Sequence, residues 1–254
     1  MIGQSISHYT ILEKLGEGGM GVVYKAEDTK LKRVVALKLL PETATSTEDD
    51  KQRFLQEAQA ASALNHPNVC GIHSVGEHNG KHFIDMEFVD GLTLRKKIAQ
   101  AGPGAGIPLE AAIEYAIQIG DALQEAHAKG IVHRDIKAEN VMVNGRNQIK
   151  VMDFGLARLK GAMRLTKSSS TVGTLAYMAP EQLQGSGNDS RSDIFSFGVV
   201  LYEMLTGRTP FRGEHEAAMV YSIVYSPGTG EVNVQRPSSA QSRTVWPVEP
   251  DAPS

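Results

Sequence analysis

Between residues 9 and 40 the hydrophobic positions fall in three β-branched runs: Tyr9-Thr10-Ile11-Leu12-Glu13-Lys14-Leu15, Val22-Val23-Tyr24-Lys25-Ala26 and Val34-Val35-Ala36-Leu37-Lys38. Turn chemistry separates them, which predicts an antiparallel meander. The texture then changes. Across 48–64, Phe54, Ala58, Ala61 and Leu64 recur at helical spacing. That helix ends before Pro67, which disfavours helix at the residue preceding it. Phe83 to Val89 reads as a short apolar strand closed by the turn Asp90-Gly91. Asp85 interrupts it, and alternation points that side chain outward to solvent. From about residue 109 the pattern is helical: Leu109 to Lys129 with Gly130 as C-cap, Ser190 to Thr206 ended by Gly207, and a further helix over Ala217 to Val224. The outline is a strand-rich first third followed by a helix-rich remainder.

From Ser226 both periodicities vanish. Residues 226–254 hold five of the chain's 11 prolines, a composition that buries too little apolar surface to offset ordering entropy, so the expectation is a disordered tail.

The 254 residues, 41% of them hydrophobic, suffice for one large domain or two lobes around a cleft. A net charge of −3 argues against a nucleic-acid binder or a basic membrane-surface protein. The one cysteine, Cys70, excludes an intrachain disulfide and is expected to be a buried structural thiol. The N-terminus has neither the charged nor the apolar region of a secretory signal. The most apolar run, Ile194 to Leu205, is too short to span a bilayer. The expectation is a cytoplasmic chain with no membrane segment.

Gly16-Glu17-Gly18-Gly19-Met20-Gly21 is a G-x-G-x-x-G. A dinucleotide fingerprint of that form needs a helix directly after the glycines. Here they open into Val22-Val23-Tyr24, so a strand–loop–strand hairpin is expected. In such a hairpin, glycines let backbone approach phosphate oxygens with no side chain between. Lys38 ends the second strand after that loop and can reach phosphates beneath it. Glu57, on the next helix, is a carboxylate available to hold it. Then come His133-Arg134-Asp135-Ile136-Lys137-Ala138-Glu139-Asn140, Asp153-Phe154-Gly155 thirteen residues after Asn140, and Ala179-Pro180-Glu181.

In this order and spacing, the set resembles the protein kinase family over roughly residues 9 to 211. Thr10-Ile11-Leu12, Ala179-Pro180-Glu181-Gln182 and Arg191-Ser192-Asp193 look like bacterial serine/threonine kinases of the eukaryotic type. The resemblance implies an α+β, two-lobed fold with an antiparallel N-lobe sheet and a mainly helical C-lobe. It implies a kinase domain over 9–225, with an N-lobe at about 9–89 and a C-lobe at about 90–225. It also implies transfer of the ATP γ-phosphate to Ser or Thr hydroxyls of protein substrates. In that reading Lys38, fixed by Glu57, pairs with the α and β phosphates. Asn140 and Asp153 hold Mg2+, Asp135 accepts the substrate proton, and Lys137 stabilises the transferring phosphate. Thr174 contacts Asp135 and Lys137. The glycine loop, residues 16 to 21 including Glu17, Gly19 and Met20, covers the phosphates. Leu15, Val23, Ala36 and Met142 sandwich the adenine, Met86 is the gatekeeper, and Glu87-Phe88-Val89 form the hinge.

Thr166, Ser168, Ser169, Ser170 and Thr171 lie between D-F-G and A-P-E. Arg134 precedes Asp135 and Arg158 lies on the first arm of this segment, so a phosphate added there is expected to pair with their guanidiniums and order it, with self-association allowing autophosphorylation in trans. Two departures stand out. Ala138 replaces the usual proline, which is expected to be tolerated. After Thr209-Pro210-Phe211 the chain does not match the further helices of relatives, so an incomplete C-lobe is expected. Neither Arg236 nor Arg243 matches the arginine that pairs with the A-P-E glutamate in relatives. The rivals to an active kinase are an ATP-binding regulatory module and an inactive fragment.

Overall fold

The structure is a computed structural model, and it describes residues 1–18, 21–45, 47–154, 171–185, 187 and 189–225. The expectations for Gly19, Met20, Gly155, Arg158, Thr166, Ser168, Ser169, Ser170, Arg236, Arg243 and the 226–254 tail lie outside those residues.

The first six strands form one antiparallel sheet in the order β1-β2-β3-β4-β6-β5. They are β1 (Ser5–Ile6), β2 (Tyr9–Gly18), β3 (Gly21–Asp28), β4 (Arg33–Leu39), β5 (Ile72–His78) and β6 (Lys81–Glu87). Strand period sorts β4 onto two faces. Val35, Leu37 and Leu39 join Tyr9, Ile11, Tyr24 and Phe83 in a cluster on the outer face. Ala36 joins Phe54, Ala58, Ile84 and Met86 in a cluster under helix α1 (Glu48–Ser62). Lys38 shares the Ala36 face by the same alternation. Thr47 caps α1, its Oγ1 accepting from the Asp50 amide at 3.1 Å, and Glu48, Asp49 and Asp50 complement the helix dipole.

Asp85 departs from the sequence expectation. It pairs with Leu37 across β4 and β6, so alternation does turn it away from Lys38. That face is covered rather than solvated, and Asp85 is 1% exposed. The Tyr9 hydroxyl donates to Asp85 Oδ2 at 3.0 Å, His73 Nδ1 lies 3.1 Å from Oδ1, and Arg33 Nη2 lies 3.8 Å from Oδ2. The carboxylate is buried because β2 delivers a phenol and β5 an imidazole to the same spot.

The second half holds a three-stranded sheet, β7 (Gly91–Thr93), β8 (Val141–Asn144) and β9 (Ile149–Val151), in that order. Around it lie α2 (Leu94–Gln100), α3 (Leu109–Ala128), α4 (Thr171–Leu175), α5 (Pro180–Gln184), α6 (Ser190–Thr206) and α7 (Glu216–Tyr225). Ala112, Tyr115, Ile119, Ala122, Leu123 and Ala126 form the buried stripe of α3. Gly207 ends α6 at φ 70, and a Cβ there would meet Ala105 O at 2.4 Å, so glycine is required on both counts. Among the described residues, no helix is long and apolar enough to cross a membrane.

Cys70 lies between the two halves, buried, with its Sγ 3.5 Å from the Glu87 carbonyl. Burial, helped by the charge of Glu87, pushes its thiol up to about 12. The expectation of a structural thiol holds.

Candidate active site

The loop after α3 carries Asp135. The imidazole of His133 anchors it: the Asp135 amide donates to Nδ1 at 3.2 Å, which leaves Nε2 to donate to the Met152 carbonyl at 2.7 Å. The ring also meets Phe154 edge-on at 4.7 Å between centroids. Arg134 adopts φ 68, a left-handed conformation that costs a non-glycine residue about 1–3 kcal/mol. Asp193, 1% exposed in the first turn of α6, holds that conformation in place. Its Oδ2 accepts from the His133 amide at 2.8 Å and its Oδ1 from the Arg134 amide at 2.7 Å; His127 Nε2 lies 2.8 Å from Oδ2. From the other side, Gln182 Nε2 donates to the Arg134 carbonyl at 3.0 Å.

Three of the sequence-selected polar groups converge here. Lys137 Nζ lies 3.1 Å from Asp135 Oδ2. Asn140 Nδ2 donates to the same oxygen at 2.9 Å and to the Asp135 carbonyl at 2.8 Å. The Asn140 amide is thus fixed by its donors, and its Oδ1 is the atom left for a cation.

Lys38, 3% exposed, pairs with Asp153 at 2.8 Å. The Glu57 carboxylate oxygens are shielded from solvent on α1. Asp153 sits at φ 58, a second left-handed residue in the site. Burial pushes its carboxyl up, but the Lys38 ammonium outweighs burial and holds it below the ordinary carboxylate value. A depressed value stabilises the fold above the unfolded pKa, and the contribution is lost as pH falls through the folded one. At neutral pH Asp153 is therefore an anion. Replacing Lys38 by Met removes the compensating charge and leaves burial to raise the Asp153 carboxyl. Lys38→Met is expected to unfold about 3 kcal/mol more easily than wild type at pH 7. In urea melts that gap should narrow below about pH 4, where the unfolded carboxylate also protonates. An equal gap at both pH values would remove Asp153 from the explanation.

Thr174 stands in α4 with its carbonyl accepting from the Tyr177 amide at 3.3 Å. Among the described residues, no hydrogen bond joins its hydroxyl to Asp135 or Lys137. Glu181 accepts from Ser192 Oγ at 2.6 Å, which ties α5 to the base of α6.

The residues that the resemblance places around adenine differ in exposure. Ala36 and Met86 are 4% exposed, Val23 and Met142 are half-buried, and Leu15 is 44% exposed at the rim. Met86 also borders a small cavity with Ala61, Cys70, Ile72, Asp153 and Phe154. Glu87 is committed to joining the halves: its amide donates to the Gly71 carbonyl at 2.9 Å, and its carboxylate pairs with Lys150 at 2.8 Å. Glu17, on the loop's first arm, pairs with Lys14.

The glycines of the loop differ in role. A Cβ on Gly16 or Gly18 meets nothing within 4 Å, so both leave open space for an anion to approach backbone. A Cβ on Gly21 would lie 1.9 Å from Leu39 O, at φ 109. Gly21→Ala is expected to lose about 2 kcal/mol or more of stability, whereas Gly18→Ala stays within about 0.5 kcal/mol of wild type. Urea unfolding of the two variants checks this.

The donors fit a hard cation that arrives with its own anion. One carboxylate and one amide oxygen fall short of a self-sufficient cage, and no cluster of three or more metal-ligating side chains occurs among the described residues. Mg2+ suits such a set because it commonly takes one or two protein oxygens and completes its shell with phosphate and water. Lys38, paired with Asp153, places a positive charge beside that set.

The protein kinase domain family model matches residues 9–245, reaching past the boundary at 225 read from composition. The chain is 39% identical to serine/threonine-protein kinase PrkC of Bacillus subtilis over 245 residues, covering 95% of this chain and 37% of that protein. It is 42% identical to the probable serine/threonine-protein kinase PknB of Lactococcus lactis over 212 residues, covering 83% of this chain and 33% of that one. The kinase domain of Mycobacterium tuberculosis PknI superposes with a TM-score of 0.69 at 27% identity, over 85% of this chain and 81% of that domain. The chain spans about a third of the length of the relatives it matches.

Proposed function

Because the chain belongs to the protein kinase family, we propose that it transfers the γ-phosphoryl group of ATP to Ser or Thr hydroxyls of proteins, with residues 9–225 as the catalytic domain and lobes meeting near residue 89. One observation carries the reading: Lys137 and Asn140 converge on a single carboxylate oxygen of Asp135 at 3.1 and 2.9 Å, beside the Lys38–Asp153 pair. Phosphoryl transfer asks little covalent chemistry of a protein; it asks for positioning and for charge to be neutralised.

The residues divide that work. Asp135 orients the acceptor hydroxyl and takes its proton. Lys137, already beside that oxygen, carries positive charge to the point where the acceptor must meet phosphate. Lys38 would hold the α and β phosphates, with Glu57 on the neighbouring helix as its further carboxylate, and Asn140 and Asp153 would hold Mg2+. ATP and Mg2+, when bound, supply the phosphoryl group and spread its charge. Gly16 and Gly18 keep the loop backbone open to phosphate, and Gly21 lets the loop's return arm pack against Leu39. Leu15, Val23, Ala36, Met86, Val89 and Met142 would enclose the adenine and exclude water. Thr174 would join Asp135 and Lys137 once an acceptor is seated. A kinase works where ATP is, so we assign the domain to the cytoplasm. Regulation by autophosphorylation in trans is assigned to residues 166–171.

Intact mass after incubation with Mg-ATP, beside Asp135→Asn, tests the reading. Gain of one or more phosphates in wild type alone supports it. No gain in a folded chain that binds ATP, with casein also unmodified, overturns it in favour of an ATP-binding regulatory module.

A further inference from the structure

Away from the nucleotide cleft, a fully buried carboxylate in the helical half is used by no step above. Glu203, in the last turns of α6, is 0% exposed. The Tyr177 hydroxyl donates to its Oε2 at 2.5 Å, and Arg95 Nη1 donates to its Oε1. Arg95 lies in the first turn of α2 and spends its whole fork on this spot. Its Nη2 donates to the Tyr177 hydroxyl at 2.6 Å, and its Nε donates to Glu139 Oε1 at 3.0 Å. The guanidinium carbon also stands 5.9 Å from the centre of the Tyr177 ring.

The three partners belong to three different parts of the site. Glu139 is the middle residue of the 3-10 turn Ala138–Asn140, next to the Asn140 that fixes Asp135. Tyr177 lies in the segment between Thr174 and Ala179-Pro180. Glu203 is the immobile member, inside the core of α6. A planar fork with fixed donor directions sets the distance between what it joins, as a lysine ammonium does not. Burial and the charge of Glu203 push the Tyr177 phenol up, so it stays a donor to Glu203 and an acceptor from Arg95.

We propose that Arg95 is a positioning residue for the acceptor: it fixes the spacing between the catalytic loop at Glu139 and the Tyr177 segment, the two walls between which a Ser or Thr must reach Asp135. This rests on the kinase reading. It predicts a defect in acceptor use with ATP binding untouched, because among the described residues no hydrogen bond or ion pair joins the cluster to Lys38, Asp153 or the glycine loop.

The test separates positioning from simple charge compensation. Arg95→Met alone strands the Glu203 charge and should lower Tm by about 5 °C. Adding Glu203→Gln removes that charge and keeps an acceptor for Tyr177, so Tm should return to near wild type. In Arg95→Met/Glu203→Gln the KM for casein should still rise about tenfold while the KM for ATP moves less than about twofold. Arg95→Lys, with the charge but not the fork, should fall between. Amides of Ala138–Asn140 and Tyr177 should exchange faster in the double variant than in wild type. Wild-type KM for casein and wild-type exchange in a double variant of restored Tm would overturn the proposal. If wild type phosphorylates nothing, the kinase reading fails on its own control, and amide exchange still decides whether Arg95 spaces the two walls.

Discussion

Asp135→Asn is expected to slow phosphoryl transfer about 10²- to 10⁴-fold, the usual worth of a general base. The substitution preserves shape, so the loop should keep its path. His133 takes the residue-135 amide and Asn140 takes its carbonyl, and neither bond involves the side chain. What disappears is the negative charge on the group that Lys137 and Asn140 both address. An amide there can neither accept the acceptor's proton nor balance the Lys137 charge. ATP binding, assigned to Lys38 and the glycine loop, should be unaffected. Initial rates on casein, with the Tm rise on adding Mg-ATP as a control for binding, give the comparison. A variant that binds ATP and retains more than about a tenth of the wild-type rate would remove Asp135 from the base role.

Asp193→Ala should be the most damaging change to the fold among the site residues, costing about 3–5 kcal/mol by urea unfolding. Domains of ordinary stability hold about 5–15 kcal/mol, so much of the chain would be unfolded on warming. Two effects add. The His133 and Arg134 amides each lose a buried acceptor. Arg134 also loses the bond that keeps it in left-handed backbone, so the loop is free to relax and carry Asp135 away. Activity should fall with stability and stay low even at temperatures where the variant remains folded. Asp193→Asn keeps one acceptor and should fall between. An alanine variant melting within about 1 kcal/mol of wild type would mean that Gln182 alone holds the loop.

The contrast between these residues shows what the sequence discloses. Asp135, Lys137, Asn140, Lys38 and Asp153 were legible because their chemistry is encoded in local spacing. Helices α3 and α6 were legible from apolar period and a terminal glycine, and their observed limits follow those signals. Asp193 stands out in the sequence only within a motif of the resemblance, and Arg95 does not stand out at all. Each acts across a long stretch of chain, 59 and 60 residues from Asp193 to its two amides and 108 from Arg95 to Glu203. No period or motif announces such partners. The short strands β7 to β9 are too brief for alternation to register. Strand β5, with His73, Ser74 and Gly76, is polar enough to resemble a loop and is held by its pairing with β6. Asp85 misled for a related reason: alternation gave its face correctly but says nothing about what covers that face. The Lys38–Asp153 pair is likewise a tertiary fact that no local spacing announces.

Cys70 turns these packing facts into a clock. Electrophilic reagents consume thiolate, and this thiol is both walled in and reluctant to ionise, at about 12. Labelling therefore waits for the back wall of the cleft to part. Dividing its rate by that of an unhindered thiol gives the fraction of time the two halves spend apart. Since the chain has a single cysteine, every count of label reports from that one seam, and breathing of the hinge can be timed on the native protein without engineering a probe.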